Sequence, residues 1–359
     1  MSQIFMEKAL ALARKGYPAP NPYVGAVLVK KGQIIGEGYH SQRGKAHAEV
    51  EALNHTTQDP GGSNLYVTLE PCSYEDDSKL TPSCTKLIIQ KGIQKVIIAS
   101  LDPNPRVAGQ GVKSLREQGI EVEVGLMSKE ESLLNRAYHY YRHRQTPWVH
   151  IKQAVTLEGY IATSPPARTA LSGDQALRRI HKLRASHQAI LVGGNTVILD
   201  NPCLDNRSGD GPSPLKIILE GHKDLPLTLK VFQEVRPHSL LLIAREPRAY
   251  HSPLEKLGID ILYHQSEDLS GLLNVLGKRG IISLLVEAGT KLASSLWRES
   301  LVNELTLIQS PFTLGQGTPF LKEDVPLDLR SSWMVNPPEL WGQDCLMNWI
   351  HKDSLCLQA

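Results

Sequence analysis

Four side chains of this 359-residue chain have the types and spacing of a hydrolytic metal centre: His47, Glu49, Cys72 and Cys84. A neutral imidazole and two thiolates suit tetrahedral zinc, and three protein ligands leave the fourth position for water. Zinc in such a site lowers the pKa of that water to roughly 7. Glu49 is then the carboxylate left over, and its task is to move protons to and from the water. Two residues apart on a helix, side chains diverge by roughly 200°. His47 and Glu49 can therefore share a site only over a helix N-terminus, where the first turn points into the pocket. Helix starts after Cys72 and Cys84 would favour the thiolates that zinc requires. A structural zinc takes four protein ligands, and no fourth ligand of obvious spacing is present.

The order H-x-E, then P-C, then a second Cys is that of zinc-dependent deaminases, in which the carboxylate is an acid and base and not a ligand. The attacked atom would be an amidine-like ring carbon, with Glu49 serving the ring nitrogen and the leaving amine. Eleven residues separate Cys72 from Cys84 where two are usual, so a loop is inserted between the thiolates. His40 and His55 read as ordinary hydrogen-bonding residues.

These residues need a scaffold, and the chain is long enough for two cores. Net charge is +2 with no long basic run, which argues against a nucleic-acid partner. No stretch of about 18 apolar residues suggests a membrane span. The first residues carry Glu7 and no continuous apolar run, so no secretory signal is expected. Cys203, Cys345 and Cys356 read as reduced thiols of a cytoplasmic protein.

Hydrophobic periodicity gives an opening helix over residues 2–15, with Ile4, Phe5, Ala9, Leu12 and Ala13 on one face. Pro18, Pro20 and Pro22 end it. A hairpin follows (strands 24–29 and 33–37), then a helix over 46–54 and a strand over 65–69. Helices over 85–90 and 111–118 alternate with strands over 96–100 and 122–124, and a polar helical segment spans 131–144. This rhythm implies an α/β/α layer with a mixed sheet. A second α/β rhythm begins at Trp148. Strands are expected over 149–155, 159–162, 189–192, 215–219, 240–244, 259–263, 283–287 and 304–309. Helices are expected over 174–184, 269–277 and 291–298. Residues 206–214 form a polar surface loop. The division reads as 1–146 and 147–359.

Longer motifs carry a resemblance over nearly the whole chain. They include the run from Pro20-Asn21-Pro22 to Val27, Gly36-Glu37-Gly38-Tyr39-His40, and Val67-Thr68-Leu69-Glu70-Pro71-Cys72-Ser73. Asp102-Pro103-Asn104-Pro105, Ala189 to Gly193 with Thr196, Asp200-Asn201-Pro202 and Val286-Glu287-Ala288-Gly289 continue them. Together they resemble the bifunctional riboflavin-biosynthesis deaminase/reductases. The resemblance implies a cytidine-deaminase-like first domain and a dihydrofolate-reductase-like second domain. The first would hydrolyse the 2-amino group of a small diaminopyrimidine ribosyl phosphate, and the second would reduce the ribosyl group to ribityl with NADPH. It further implies that Asn21, Asp102 and Asn104 shape the pyrimidine pocket and that Arg184 and Arg207 grip the phosphate. Leu204 and Glu287 would contact substrate, and Ala154, Thr196, Asp200, Gly289 and Thr290 the cofactor. Gly289 has a physical warrant of its own, since it follows a buried strand and opens a helix where a phosphate can approach. Self-association into a homo-oligomer is left open.

The chain departs from the family in two places. The loop between the cysteines adds Glu75, Asp76 and Asp77 beside Lys79. In the second half, Ala170 stands where the family has tryptophan, Glu158 where it has aspartate, and Gly221 where it has serine. Losing an aromatic platform removes contact area. Two readings of that half therefore stand open, a working reductase and a reductase-like module for binding or assembly.

Overall fold

The computed structural model describes residues 2–74, 83–167, 169–233, 235–265 and 267–355. The added carboxylates and Lys79 of the inserted loop, together with Arg168 and Cys356, lie outside the described residues. The chain divides into two units, one running to Arg144 and the other Gln145–Ser354.

In the first unit α1 (Ser2–Ala13) leads into a hairpin of β1 (Gly25–Lys30) and β2 (Gln33–Tyr39). Then come α2 (Ala48–Asn54), β3 (Asn64–Leu69), α3 (Cys84–Gln90), β4 (Lys95–Ser100), α4 (Gln110–Glu117) and β5 (Glu121–Val124). Helices α5 (Ser128–Leu134) and α6 (Arg136–Arg144) complete it. The strands form one mixed sheet in the order β2-β1-β3-β4-β5, antiparallel at β1 and parallel from β3 to β5. Alternation along β1 feeds two cores. Ala26 and Leu28 pack with Ala48, Ala52, Ile88 and Leu115, whereas Val27 and Val29 pack with Met6, Ala9 and Leu10. Helices on both faces give the expected α/β/α layering.

Two expectations need correction. The buried residues of α1 are Met6, Ala9, Leu10, Leu12 and Ala13, so Ala9, Leu12 and Ala13 pack as expected, whereas Phe5 is half-buried and Ile4 is 64% exposed. The polar segment near the end of the unit is two helices, parted at Asn135. That side chain accepts from the Tyr23 N–H (2.7 Å) and donates to the Tyr23 carbonyl (2.8 Å), which clasps the loop beside Asn21.

The approach of α2 to β2 depends on Gly38. A Cβ there would stand 2.3 Å from the Ala48 carbonyl oxygen and 2.4 Å from the Ala52 nitrogen. Gly38→Ala is therefore expected to push α2 outward and cost about 1–3 kcal/mol. Thermal unfolding checks this: the variant should melt at lower temperature, and an unchanged Tm would show that the contact is soft.

The second unit opens with β6 (Trp148–Val155), β7 (Tyr160–Thr163), α7 (Asp174–Ala185), β8 (Ala189–Gly193) and α8 (Gly194–Asp200). It continues with β9 (Leu215–Leu219), α9 (Lys230–Gln233), β10 (Leu240–Ala244), α10 (His251–Lys256) and β11 (Asp260–Tyr263). Next are α11 (Leu269–Lys278), β12 (Ser283–Val286), α12 (Thr290–Arg298) and β13 (Glu304–Gln309). Four further strands end it: β14 (Gly317–Pro319), β15 (Trp333–Val335), β16 (Glu339–Trp341) and β17 (Asp344–His351). One sheet runs β11-β10-β9-β8-β12-β6-β13-β17-β15, parallel as far as β13 and antiparallel at β17. The chain runs outward from β8 to β11 and returns to insert β12 between β8 and β6. That reversal of strand order leaves a crevice at the strands' C-terminal ends, where ligands bind in open α/β sheets. Val149, Ile151, Leu191 and Val286 pack on one face against α11 and α12, and Ile190, Val192 and Leu285 on the other against Val197 and Phe232. Among the described residues no helix is long and apolar enough to cross a membrane.

Candidate functional site

His47 is the N-cap of α2, and Glu49 lies in that helix's first turn. Cys84 opens α3, while Cys72 follows the end of β3 on an irregular segment. The expected helix start thus exists at Cys84, while most of the segment after Cys72, where another was expected, lies outside the described residues. The His47 Nδ1 lies 3.3 Å from the Cys84 Sγ and 3.5 Å from the Cys72 Sγ. The three candidate ligand atoms fall within 4.8 Å of one another. Zinc bonds of 2.0–2.3 Å set tetrahedral edges of about 3.3–3.8 Å, so this donor set fits zinc in both chemistry and spacing. The Cys84 backbone N–H also points to the Cys72 sulfur at 3.4 Å. Glu49 is 3% exposed, and burial raises its pKa above the ordinary carboxylate value while neighbouring His47 opposes the rise. A carboxyl that holds its proton more tightly is suited to a group that must both take and return one.

Other residues expected near this centre are tied to it through neighbours. His40 is buried, and its Nδ1 faces the Ala46 carbonyl at 3.0 Å while its Nε2 meets the Asn21 Nδ2 at 3.0 Å. If Nδ1 donates to the carbonyl, Nε2 must accept from Asn21, which leaves the Asn21 oxygen to accept from a ligand. His40 is thus a satisfied histidine, as the sequence suggested, and one that orients a site residue. Its ring lies 5.5 Å from that of His47. His55 is exposed and pairs with Glu51. Asp102 is buried, and its Oδ1 accepts from the Asn104 N–H (2.8 Å) and the Tyr138 O–H (3.0 Å). Burial raises its pKa, and those two hydrogen bonds oppose the rise.

In the second unit a cavity of about 850 Å³ lies over the C-terminal ends of β6, β8, β9 and β12. Ala154, Arg184, Thr196, Asp200, Glu287, Gly289 and Thr290 all line it. Gly289 is the N-cap of α12, and a Cβ on it would stand 3.4 Å from the Thr196 Oγ1. The first turns of α8 and α12 therefore converge, which suits an anionic group of a cofactor. Ala170 and Gly221 also line the cavity. Glu158 accepts from the Leu314 and Gly315 N–H groups and so holds a loop.

Two of the expected residues are not among those lining the cavity. Leu204 is 1% exposed and packs in the apolar cluster with Val197 and Leu225. Arg207 is exposed, pairs with Asp205 at 3.2 Å and is not among the cavity's lining residues. Arg184 is mostly buried. Its Nε and Nη2 each lie 2.9 Å from a Glu287 oxygen, and its Nη1 donates to the Asp205 carbonyl.

Sequence reading missed Lys152. It is 9% exposed, lines the cavity and brings its Nζ within 3.9 Å of Glu287. Burial lowers its pKa, while Glu287 opposes and Arg184 adds to the lowering. The available signal was the one lysine of a mostly buried strand whose other polar residues are His150 and Gln153. Burial alone would raise the pKa of Glu287, but Lys152 and Arg184 outweigh it and hold the carboxyl at about 2. A carboxylate depressed in the folded state stabilises above its ordinary pKa, and that stabilisation is lost as pH falls towards the folded value. The second unit should therefore lose stability between about pH 4.5 and about pH 2. Acid unfolding of wild type and Glu287→Gln checks it, since the variant should lack this component of the pH dependence.

Residues 147–336 match the family described as the RibD C-terminal domain, and residues 1–100 match the cytidine and deoxycytidylate deaminase zinc-binding region. The chain is 35% identical over 363 residues to the riboflavin biosynthesis protein RibD of Actinobacillus pleuropneumoniae, covering 96% of this chain and 94% of that one. It is 39% identical over 345 residues to the protein of the same name from Chlamydia trachomatis serovar D, covering 93% and 91%. Among solved structures it resembles Acinetobacter baumannii RibD with a TM-score of 0.88 at 32% identity, covering 97% and 98%. It also resembles the Thermotoga maritima diaminohydroxyphosphoribosylaminopyrimidine deaminase/5-amino-6-(5-phosphoribosylamino)uracil reductase, with a TM-score of 0.85, 32% identity and the same coverage.

Proposed function

This chain belongs to the RibD family of riboflavin-biosynthesis enzymes, and from that footing we propose that its two units divide the family's two reactions between the sites described above. It is an enzyme with deaminase and reductase activities that uses zinc and NADPH. The observation that carries the assignment of the first site is the gathering of His47, Cys72 and Cys84 beside buried Glu49.

In the proposed first step the substrate is 2,5-diamino-6-(5-phosphoribosylamino)pyrimidin-4-one. Asn21 accepts from the ring edge, and the loop from Asp102 to Asn104 walls the pocket. His47, Cys72 and Cys84 would hold the zinc, which when bound would supply an acidified water. Glu49 takes a proton from the attacking water and delivers protons to the ring nitrogen and the departing amine, so that ammonia leaves and a ring carbonyl remains. For the second step, NADPH bound in the cavity would supply the hydride. The starts of α8 and α12 would offer N–H groups to its phosphates, and Thr196, Asp200 and Ala154 would help to hold it. Lys152 offers a buried donor to a substrate oxygen, and Glu287, held ionised by Lys152 and Arg184, orients the ribosyl chain. Arg184 keeps part of its guanidinium free for the substrate phosphate. Cytoplasmic action on this small phosphorylated pyrimidine, alone or as a homo-oligomer, completes the reading.

Product masses test it. Incubation with the diaminopyrimidine phosphate alone should raise the mass by about one unit, and addition of NADPH should raise it by about two more. Substrate returned unchanged from zinc-loaded protein would overturn the reading.

A further inference from the structure

The residue that connects the metal triad to the wall of the pyrimidine pocket is Glu70, which neither the sequence motifs nor the reaction scheme gives a task. It follows β3 and is 4% exposed. Its Oε2 accepts from the Gly109 N–H at 2.9 Å and the Asp102 N–H at 3.3 Å, and its Oε1 accepts from the Val112 N–H at 3.1 Å. Its own N–H donates to the Ser100 carbonyl at 3.0 Å. One carboxylate thus gathers the loop that carries Asp102 and Asn104, together with the first turn of α4. Two residues further along is Cys72. The packing leaves no slack, because a Cβ at Gly111 would stand 2.3 Å from the Pro71 carbonyl oxygen and 3.0 Å from the Glu70 Oε1.

We propose that Glu70 is a positioning residue of the deaminase: its carboxylate sets the distance between the metal triad and the Asp102–Asn104 wall, and so controls substrate affinity and not the chemical step. The proposal rests on the deaminase reading above. Its chemistry is that of an acceptor-only group facing three donors. A glutamine has the same shape, but its NH₂ must face at least one of the three N–H groups. Either the Asp102–Gly109 loop or the α4 start must then give way.

The test is Glu70→Gln in the full, zinc-loaded chain. The KM for the diaminopyrimidine phosphate should rise at least about tenfold. The kcat, the zinc content and the reduction of the deaminated product should change less than about threefold, as expected for loss of binding common to ground and transition states. Hydrogen exchange read by mass should quicken about tenfold or more across residues 101–112 and stay unchanged across β3. An unchanged KM, or a fall in kcat or zinc content without a KM change, overturns the proposal. Loss of protection across β3 as well also overturns it, because Glu70 would then be a residue of the general core. Wild-type turnover separates the two levels: if wild type does not deaminate, the reading of the site fails, while the exchange data still judge the tether.

Discussion

Glu49→Gln is expected to lower the kcat of deamination by about 10³-fold while zinc content and NADPH-dependent reduction stay at wild-type values. A positioned acid or base typically contributes about 10²–10⁴-fold, and Glu49 must serve in both roles in a single turnover. Glutamine preserves volume and hydrogen bonding but cannot accept a proton. The residue is 3% exposed, so bulk water has little access with which to substitute for it. Retained zinc would show that His47, Cys72 and Cys84 suffice as ligands, and retained reduction would serve as a folding control in the same chain. Deamination at the native rate would remove the proposed mechanism.

The second large effect is expected from Glu287→Ala. In the wild type Glu287 faces two cations, Arg184 through two 2.9 Å hydrogen bonds and Lys152 at 3.9 Å. Removal of the carboxylate leaves two mostly buried positive charges opposed to each other. Breaking a buried pair from one side costs about 3–5 kcal/mol, and the 16% exposure of the Glu287 side chain places this case near the lower end. Denaturant unfolding should report that loss, and reduction should fall to a few per cent or less because the cavity loses the carboxylate meant to orient the ribosyl chain. A double variant, Glu287→Ala with Arg184→Met, should recover part of the stability but not the activity, because it relieves the orphaned charge without restoring the cavity. Full stability in the single variant would show that water compensates the cations.

The deaminase site was legible in the sequence because its chemistry requires specific residue types at short range. His47 and Glu49 lie two residues apart at a helix start, a placement that follows from helix geometry once both are assigned to one site. The layering of the first unit was legible as well, since β1 sends apolar side chains to both faces in strict alternation. Two features were hidden for physical reasons. Along β17 the burial alternates residue by residue, but the polarity does not: Asp344 and Asn348 are buried while Cys345, Met347 and Trp349 are only half-buried. Helix α8 has seven residues beginning with Gly194-Asn195, too short for a periodic signal, yet it brings Thr196 and Asp200 to the cavity. Lys152 and Arg184 illustrate the same limit. Only tertiary contacts distinguish a buried, paired cation from a solvated one, and those contacts come from strands and helices far apart in the chain.

The most direct test of the central claim is a crystal structure of the zinc-loaded protein with the metal located by its anomalous signal. The account predicts zinc bonded to His47 Nδ1, Cys72 Sγ and Cys84 Sγ, with no other side chain bonded and the Glu49 carboxylate turned towards the remaining position. A fourth protein ligand on the metal, or Glu49 directed away from it, would contradict the account.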